Sequence, residues 1–320
     1  MKIGINAAGV VARGTSLRGI VAHAVAAESD GFASYWMPQM AVPDALTAIA
    51  AMGTATSTIE IGTAVVPIWP RHPLMLAGQV LTTQEAVDNR LVLGIGLAHK
   101  GIVESTFKIP FQAMASQMDD YLSVLLPALS DRSVRFTGDY WSGEDDLSGS
   151  CKDVISPPVL LAAMGPRMLR MAGERTDGTI LWLSGARTIA NTIRPALEEA
   201  AASADRPSPR IVAGLPVCVT TDPERARRRI GRALAAYEGF ASYRAVLDLE
   251  GVEGPADVAL VGGPDDIEAG LAALAESGVT EFAATEFGTD PDEIVATRAA
   301  LMVAASRSAD TDAEVIQIRS

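Results

Sequence analysis

Basic residues, cysteine and aromatic side chains are scarce in this 320-residue chain, and each scarcity excludes something. Lysine and arginine number 26 against 39 acidic residues, a net charge of −13. No basic face is therefore expected for nucleic acid or an anionic membrane surface. The two cysteines, Cys151 and Cys218, stand far apart and match no CxxC or zinc spacing. Free thiols in a reducing compartment are the expectation. No apolar run approaches the roughly 18 residues that a membrane span requires. Met1-Lys2 leads directly into the strand-like Ile3-Gly4-Ile5 with no secretory leader pattern, so a cytoplasmic protein is expected. Walker A, HExxH and G-x-S-x-G are absent, which removes the commonest motif-bearing routes to nucleotide hydrolysis, zinc proteolysis and serine hydrolysis. Glu144-Asp145-Asp146 lies in a polar loop without regular ligand spacing, and no metal site is expected there.

What the chain does have is a rhythm. Hydrophobic residues make up 48% of it and aromatics only 5%, so Ala, Val, Leu and Ile must form the core, as parallel strands covered by helices on both faces require. Short apolar runs at Lys2–Ile5, Ser34–Pro38, Thr58–Pro67, Leu91–Ile95, Val159–Ala163, Gly178–Leu183, Arg210–Val219 and Val279–Thr285 read as eight strands. Helical spacing follows each one. Asp44 is placed to cap one helix, and Pro73, with its fixed φ and missing N–H, suits the first position of another. Eight strand-helix units predict an α/β fold, a (β/α)8 TIM barrel, as one domain over residues 1–305. Insertions are expected after strands 4 and 7, at about 130–158 and 240–264, with a tail over 306–320. The first insertion contains a hairpin pattern around Thr137-Gly138-Asp139 and reads as a lid or a surface loop. The second reads as irregular. Arginines 225, 227, 228 and 229 read as a solvated outer helix face paired with nearby acids.

In a barrel the loops after the strands share one rim, so residues distant in sequence converge there. Two stretches on that rim carry chemistry. In Arg90-Leu91-Val92-Leu93-Gly94-Ile95-Gly96-Leu97-Ala98-His99, a buried strand ends in glycines and delivers an imidazole, the side chain best suited to move protons near neutral pH. His99 is the leading catalytic candidate, weighed against a structural histidine. The Gly94/Gly96 pair imitates a dinucleotide fingerprint but lacks the third glycine. In Ala163-Met164-Gly165-Pro166 a strand gives way to a helix start whose unpaired N–H groups suit a phosphate.

Five ordered motifs add a resemblance: Gly62-Thr63-Ala64-Val65-Val66-Pro67, Pro70-Arg71-His72-Pro73, Arg90 to Gly96, Pro157-Pro158-Val159-Leu160, and Gly165 to Gly178. In register from residue 1 to about 303, the chain resembles the luciferase-like monooxygenase superfamily, most closely its branch that uses the deazaflavin coenzyme F420. The resemblance implies a TIM barrel that transfers a hydride between F420 and a C=C or C=N bond of a small organic substrate. The alternative is an FMN-dependent monooxygenase served by a separate reductase. It implies a non-prolyl cis peptide at Ala64-Val65 behind the ring, with Gly96, Leu97 and Ala98 along the ring edge. Ala163, Met164, Gly165 and Pro166 would hold the phosphate, and His99 would donate the proton. Gln39 stands beside the ring where relatives often have Asp-His after the second strand, so no second imidazole is implied. Pairing of outer helices into a homodimer is also implied.

Overall fold

The strands form where apolar residues face both ways. The computed structural model describes residues 1–149, 151 and 153–319, with side chains to residue 308. Eight strands make the barrel: β1 (Lys2–Asn6), β2 (Ser34–Met37), β3 (Glu60–Thr63), β4 (Leu91–Gly96), β5 (Val159–Leu161), β6 (Gly178–Trp182), β7 (Arg210–Val219) and β8 (Glu281–Glu286). They pair in parallel in chain order. The ring closes where β8 lies between β7 and β1, with Ala283 opposite both Gly214 and Gly4. The helices outside start where the sequence supplies an acceptor. Ser16 accepts from the Gly19 N–H, Asp44 from Thr47 and Asp222 from Arg225. His72 accepts from Leu74 ahead of Pro73, each bond satisfying a donor that the first turn leaves orphaned.

The barrel interior is layered. Its lower end holds charge: the Arg210 guanidinium lies 2.7 Å from both Glu60 Oε1 and Glu281 Oε2. Glu281 accepts from the Ser34 hydroxyl and, at 2.7 Å, from Trp36 Nε1. Above this, Trp36, Val92, Leu160, Ile180, Val212 and Ala283 fill the middle. Trp36 needs the bare backbone at Gly62, where a Cβ would stand 2.3 Å from the indole ring.

The first extra segment holds the hairpin expected around Thr137-Gly138-Asp139, and the second departs from expectation. Ser133–Thr137 and Ser142–Asp146 pair as an antiparallel hairpin. It lies along the outer helices, with the Tyr140 and Trp141 N–H groups bound to Asp120 and the Trp141 ring against Tyr121 and His72. It braces the wall and does not form a lid. The stretch read as irregular from Phe240 contains the helix Ala241–Glu250 and a short strand, Leu260–Gly262, added to β7. The last helix, Pro291–Arg319, runs on through the segment read as a tail, where the side chains of 309–320 and all of Ser320 lie outside the described residues. Cys151 and Cys218 are free thiols. Among the described residues no helix is long and apolar enough to cross a membrane.

Glu281 is 1% exposed and has a guanidinium and two other donors facing it. Removing one member of a buried ion pair costs about 3–5 kcal/mol. Glu281→Ala is expected to lower unfolding stability by that amount in urea titration; a loss under about 1 kcal/mol would show that the cluster does not hold the barrel end together.

Candidate active site

The upper end of the barrel is built from small residues. A Cβ on Gly94 would stand 2.1 Å from the Thr63 carbonyl oxygen and 3.0 Å from Val65 Cγ1. One on Gly96 would stand 2.9 Å from Val65 Cγ2 and 3.1 Å from Ala162 Cβ. Ala64, Val65 and Ala162 pack above the middle layer, and together with these glycines they make a floor of low relief. The Ala64–Val65 peptide bond is cis, the conformation that the resemblance implies at this place. Thr63 Oγ1 donates to the Gly94 carbonyl at 2.7 Å and accepts from the Gly94 N–H at 2.8 Å, fastening β3 to β4. Beyond Gly96 the chain turns outward through Ala98 at φ 53, a left-handed conformation that alanine rarely adopts. Trp69 Nε1 holds the preceding Leu97 carbonyl at 2.5 Å. Such backbone strain concentrates at binding sites, where surrounding contacts enforce it.

This turn sets His99 under a group of aromatic rings. The imidazole stacks on Phe240 with centroids 4.1 Å apart and planes 9° from parallel. Tyr237 meets it edge-on at 5.9 Å and Tyr243 lies at 5.7 Å, while Trp182, at the end of β6, contacts Tyr237. The aromatic residues come from the segment after β7. That segment is tied across the rim by Glu250, which accepts from the Thr188 N–H at 2.7 Å and the Arg187 N–H at 3.2 Å in the loop after β6. Burial disfavours the charged imidazole and pulls the His99 pKa below its ordinary 6.5. Both ring nitrogens lack a hydrogen bond among the described residues, so one N–H donor and one lone pair are uncommitted at neutral pH. Burial likewise raises the pKa of Tyr237 and Tyr243, which keeps both as protonated phenols.

β5 lies beside β4, and the Ala162 N–H donates to the Ile95 carbonyl at 2.8 Å. This brings the turn Ala163-Met164-Gly165-Pro166 next to the His99 loop. Ala163 is buried, whereas Gly165 and Pro166 are exposed. Gly165 precedes the helix Pro166–Arg175 without a side-chain cap, and a Cβ there would meet nothing within 4 Å. The first N–H groups of that helix stay open to an anion. Two buried hydroxyls at strand ends, Ser184 Oγ after β6 and Thr285 Oγ1 on β8, have no hydrogen-bond partner. Along β8, Thr285 shares the inward face with Glu281 and Ala283, since every second residue of a strand points the same way. A low floor and an open helix start at its side suit a flat heterocycle carrying a phosphate.

The structure thus brings together on one rim His99, Ala64, Val65, Gly96, Leu97, Ala98, Ala163, Met164, Gly165 and Pro166. Gln39 is also on this rim, but its amide is occupied locally: Nε2 donates to the Met40 carbonyl at 2.6 Å and Oε1 accepts from the Ala45 N–H at 3.0 Å. Arg71 is paired with Asp44. Burial works against that carboxylate, yet hydrogen bonds from Thr47 and the Arg71 charge hold its pKa below the ordinary value. Trp141 lies on the outer wall. Sequence reasoning missed Tyr237, Phe240 and Tyr243, although three aromatics spaced three apart within seven residues stand out in a chain with 5% aromatics.

Comparison with known proteins agrees with this geometry. A family model described as luciferase-like monooxygenase matches residues 1–297. An F420-dependent glucose-6-phosphate dehydrogenase of Beutenbergia cavernae is 27% identical over 66% of this chain and 66% of its own length, so the chain spans just under two thirds of that relative. The coenzyme F420-dependent tetrahydromethanopterin reductase of Methanopyrus kandleri superimposes with a TM-score of 0.73 at 20% identity, covering 95% of this chain and 97% of that one. The oxygenating constituent of 3,6-diketocamphane monooxygenase from Pseudomonas putida, solved with FMN, superimposes with a TM-score of 0.74 at 18% identity, covering 95% and 96%. At such identities the structural likeness carries the fold.

Because the folded protein resists protonating His99, the stability this group contributes is complete above the unfolded value near 6.5 and is lost as pH falls from there through the folded value. Phe240→Ala opens the imidazole to water. NMR titration of the His99 ring protons is expected to show a higher midpoint in the variant than in the unmodified protein. An equal or lower midpoint would show that the stacked ring does not set the environment of His99.

Proposed function

The chain belongs to the luciferase-like monooxygenase family, and from that membership we propose that it is an F420-dependent oxidoreductase moving a hydride between the deazaflavin and a C=C or C=N bond of a small organic substrate. The observation that carries this reading is the uncommitted, neutral His99 imidazole beside the small-residue floor and the open helix start. The F420 dependence named for the Beutenbergia cavernae relative and for the Methanopyrus kandleri structure supports the choice of cofactor.

When bound, the deazaflavin supplies a planar ring that gives or takes the hydride. The protein's own residues do the rest. Val65, held against Gly94 and Gly96, and Ala162 present a surface on which a ring can lie flat. The N–H groups at Gly165 and the first turn of its helix receive the phosphate without a charged side chain. As a neutral base, His99 would take the proton from the substrate atom whose neighbouring carbon gives up the hydride, and the resulting imidazolium would return a proton to that atom when the carbon receives the hydride. Burial, which favours the neutral imidazole, favours the proton-accepting role. Tyr237, Phe240 and Tyr243 cover the imidazole and exclude water that would compete for that proton. The same rings favour a substrate with an apolar or aromatic body.

Anaerobic titration with F420 and with FMN, each followed by fluorescence, tests the reading. F420 is expected to bind, and His99→Ala to lower kcat by about 100- to 10,000-fold, the usual range for loss of a general acid or base, with F420 affinity little changed. Tight FMN binding with no response to F420 would overturn the cofactor choice. Unchanged turnover in His99→Ala would overturn the proton role.

A further inference from the structure

The arginines of the helix Pro223–Leu234 are not accounted for by the site on the rim. Arg225, Arg228, Arg229 and Arg232 fall three, one and three residues apart, which places them on one helix face. With Ala233 and with Thr289 from the turn after β8, they line a recess of about 520 Å³ that is open to solvent. No carboxylate is among these six lining residues, in a chain with 39 acidic residues.

The arginines were expected to be neutralised by nearby acids, and this holds for only part of the face. Arg228 pairs with Glu224 at 3.2 Å, but both side chains are largely exposed, at 60% and 86%, so the pair exchanges readily with water. Arg229 is anchored: its Nη2 reaches Glu293 at 2.9 Å and the Phe287 carbonyl at 3.0 Å. The two remaining side chains, Arg225 and Arg232, have no ion pair or hydrogen bond among the described residues. Like charges three and four residues apart repel one another, and the N-terminus of the same helix adds partial positive charge.

We propose that this recess binds a small multivalent anion, a phosphate ester or a polycarboxylate, gripped by Arg225 and Arg232 and oriented by the fixed Arg229. The guanidinium fork matches the oxygen spacing of either group and can make two parallel hydrogen bonds to it. The net charge of −13 repels a long polyanion such as nucleic acid, whereas a small ligand seated between Arg225 and Arg232 meets two guanidinium groups that carry no carboxylate partner among the described residues. The proposal does not depend on the function assigned to the rim.

Isothermal titration calorimetry of the full chain at low salt, with inorganic pyrophosphate and separately with citrate, tests it. The unmodified protein is expected to bind at least one of them, with affinity falling as salt is added. The Arg225→Gln/Arg232→Gln double variant is expected to bind that probe at least tenfold more weakly, while circular dichroism shows it folded and F420 titration is unaltered. Preference for pyrophosphate assigns a phosphate ester, and preference for citrate a polycarboxylate. Absence of binding by both probes at millimolar concentration would overturn the proposal. So would equal binding by the double variant, which would place the anion elsewhere, as at the Gly165 helix start.

Discussion

One buried carboxylate, Glu281, sits where the barrel closes. It lies on β8, the strand that completes the ring, and its two oxygens receive Arg210 from β7, together with Ser34 and Trp36 from β2. Arg210 carries the connection on to Glu60 on β3. A charge in a barrel interior is tolerated only with this degree of pairing, because the loss of water costs several kcal/mol per ion. The cluster fixes the register of strands that are far apart in sequence, and Trp36 stacks above it to fill the middle layer. With the lower and middle layers occupied, the upper layer can be left to glycine and alanine. The low floor at the rim follows from that arrangement.

The two additional segments divide their work by where they attach. The hairpin Ser133–Asp146 follows a helix that ends at the lower side of the barrel, so it climbs the outer wall and braces Tyr121 and His72. The segment from Ala235 to Glu250 follows a helix that begins after β7, and it folds back across the rim until Glu250 meets the loop after β6. Only the second can reach His99. The aromatic residues of a chain poor in them gather there, and they give the imidazole an environment in which the neutral form is favoured.

Much of this was legible in the sequence because parallel strands covered on both faces must be apolar throughout: Leu91–Ile95 and Val159–Leu161 declare themselves, and a glycine-terminated strand that ends in histidine marks the rim. Helix starts were equally plain at Asp44, Pro73 and Gly165-Pro166, where local chemistry decides. The helix Ala241–Glu250 was not legible. Its buried residues Tyr243, Val246 and Leu247 have helical spacing, but the flanking Gly239, Gly251 and Gly254 signal turns, and packing against the loop after β6 decided the outcome. Glu60, Arg210 and Glu281 stand at strand starts, where charge reads as facing solvent; only closure of the ring turns them inward. The occupation of the Gln39 amide by its own loop is likewise set by tertiary contacts with no pattern in sequence.

The central claim is that the loops after β4, β5 and β7 form one ligand site. Hydrogen exchange of the backbone amides with and without F420 tests it most directly. The account predicts that F420 slows exchange together at Gly96–Lys100, at Met164–Met168 and across Tyr237–Tyr243, and leaves the hairpin Ser133–Asp146 unchanged. Slowing confined to one of the three loops, or found on the outer wall instead, would contradict it.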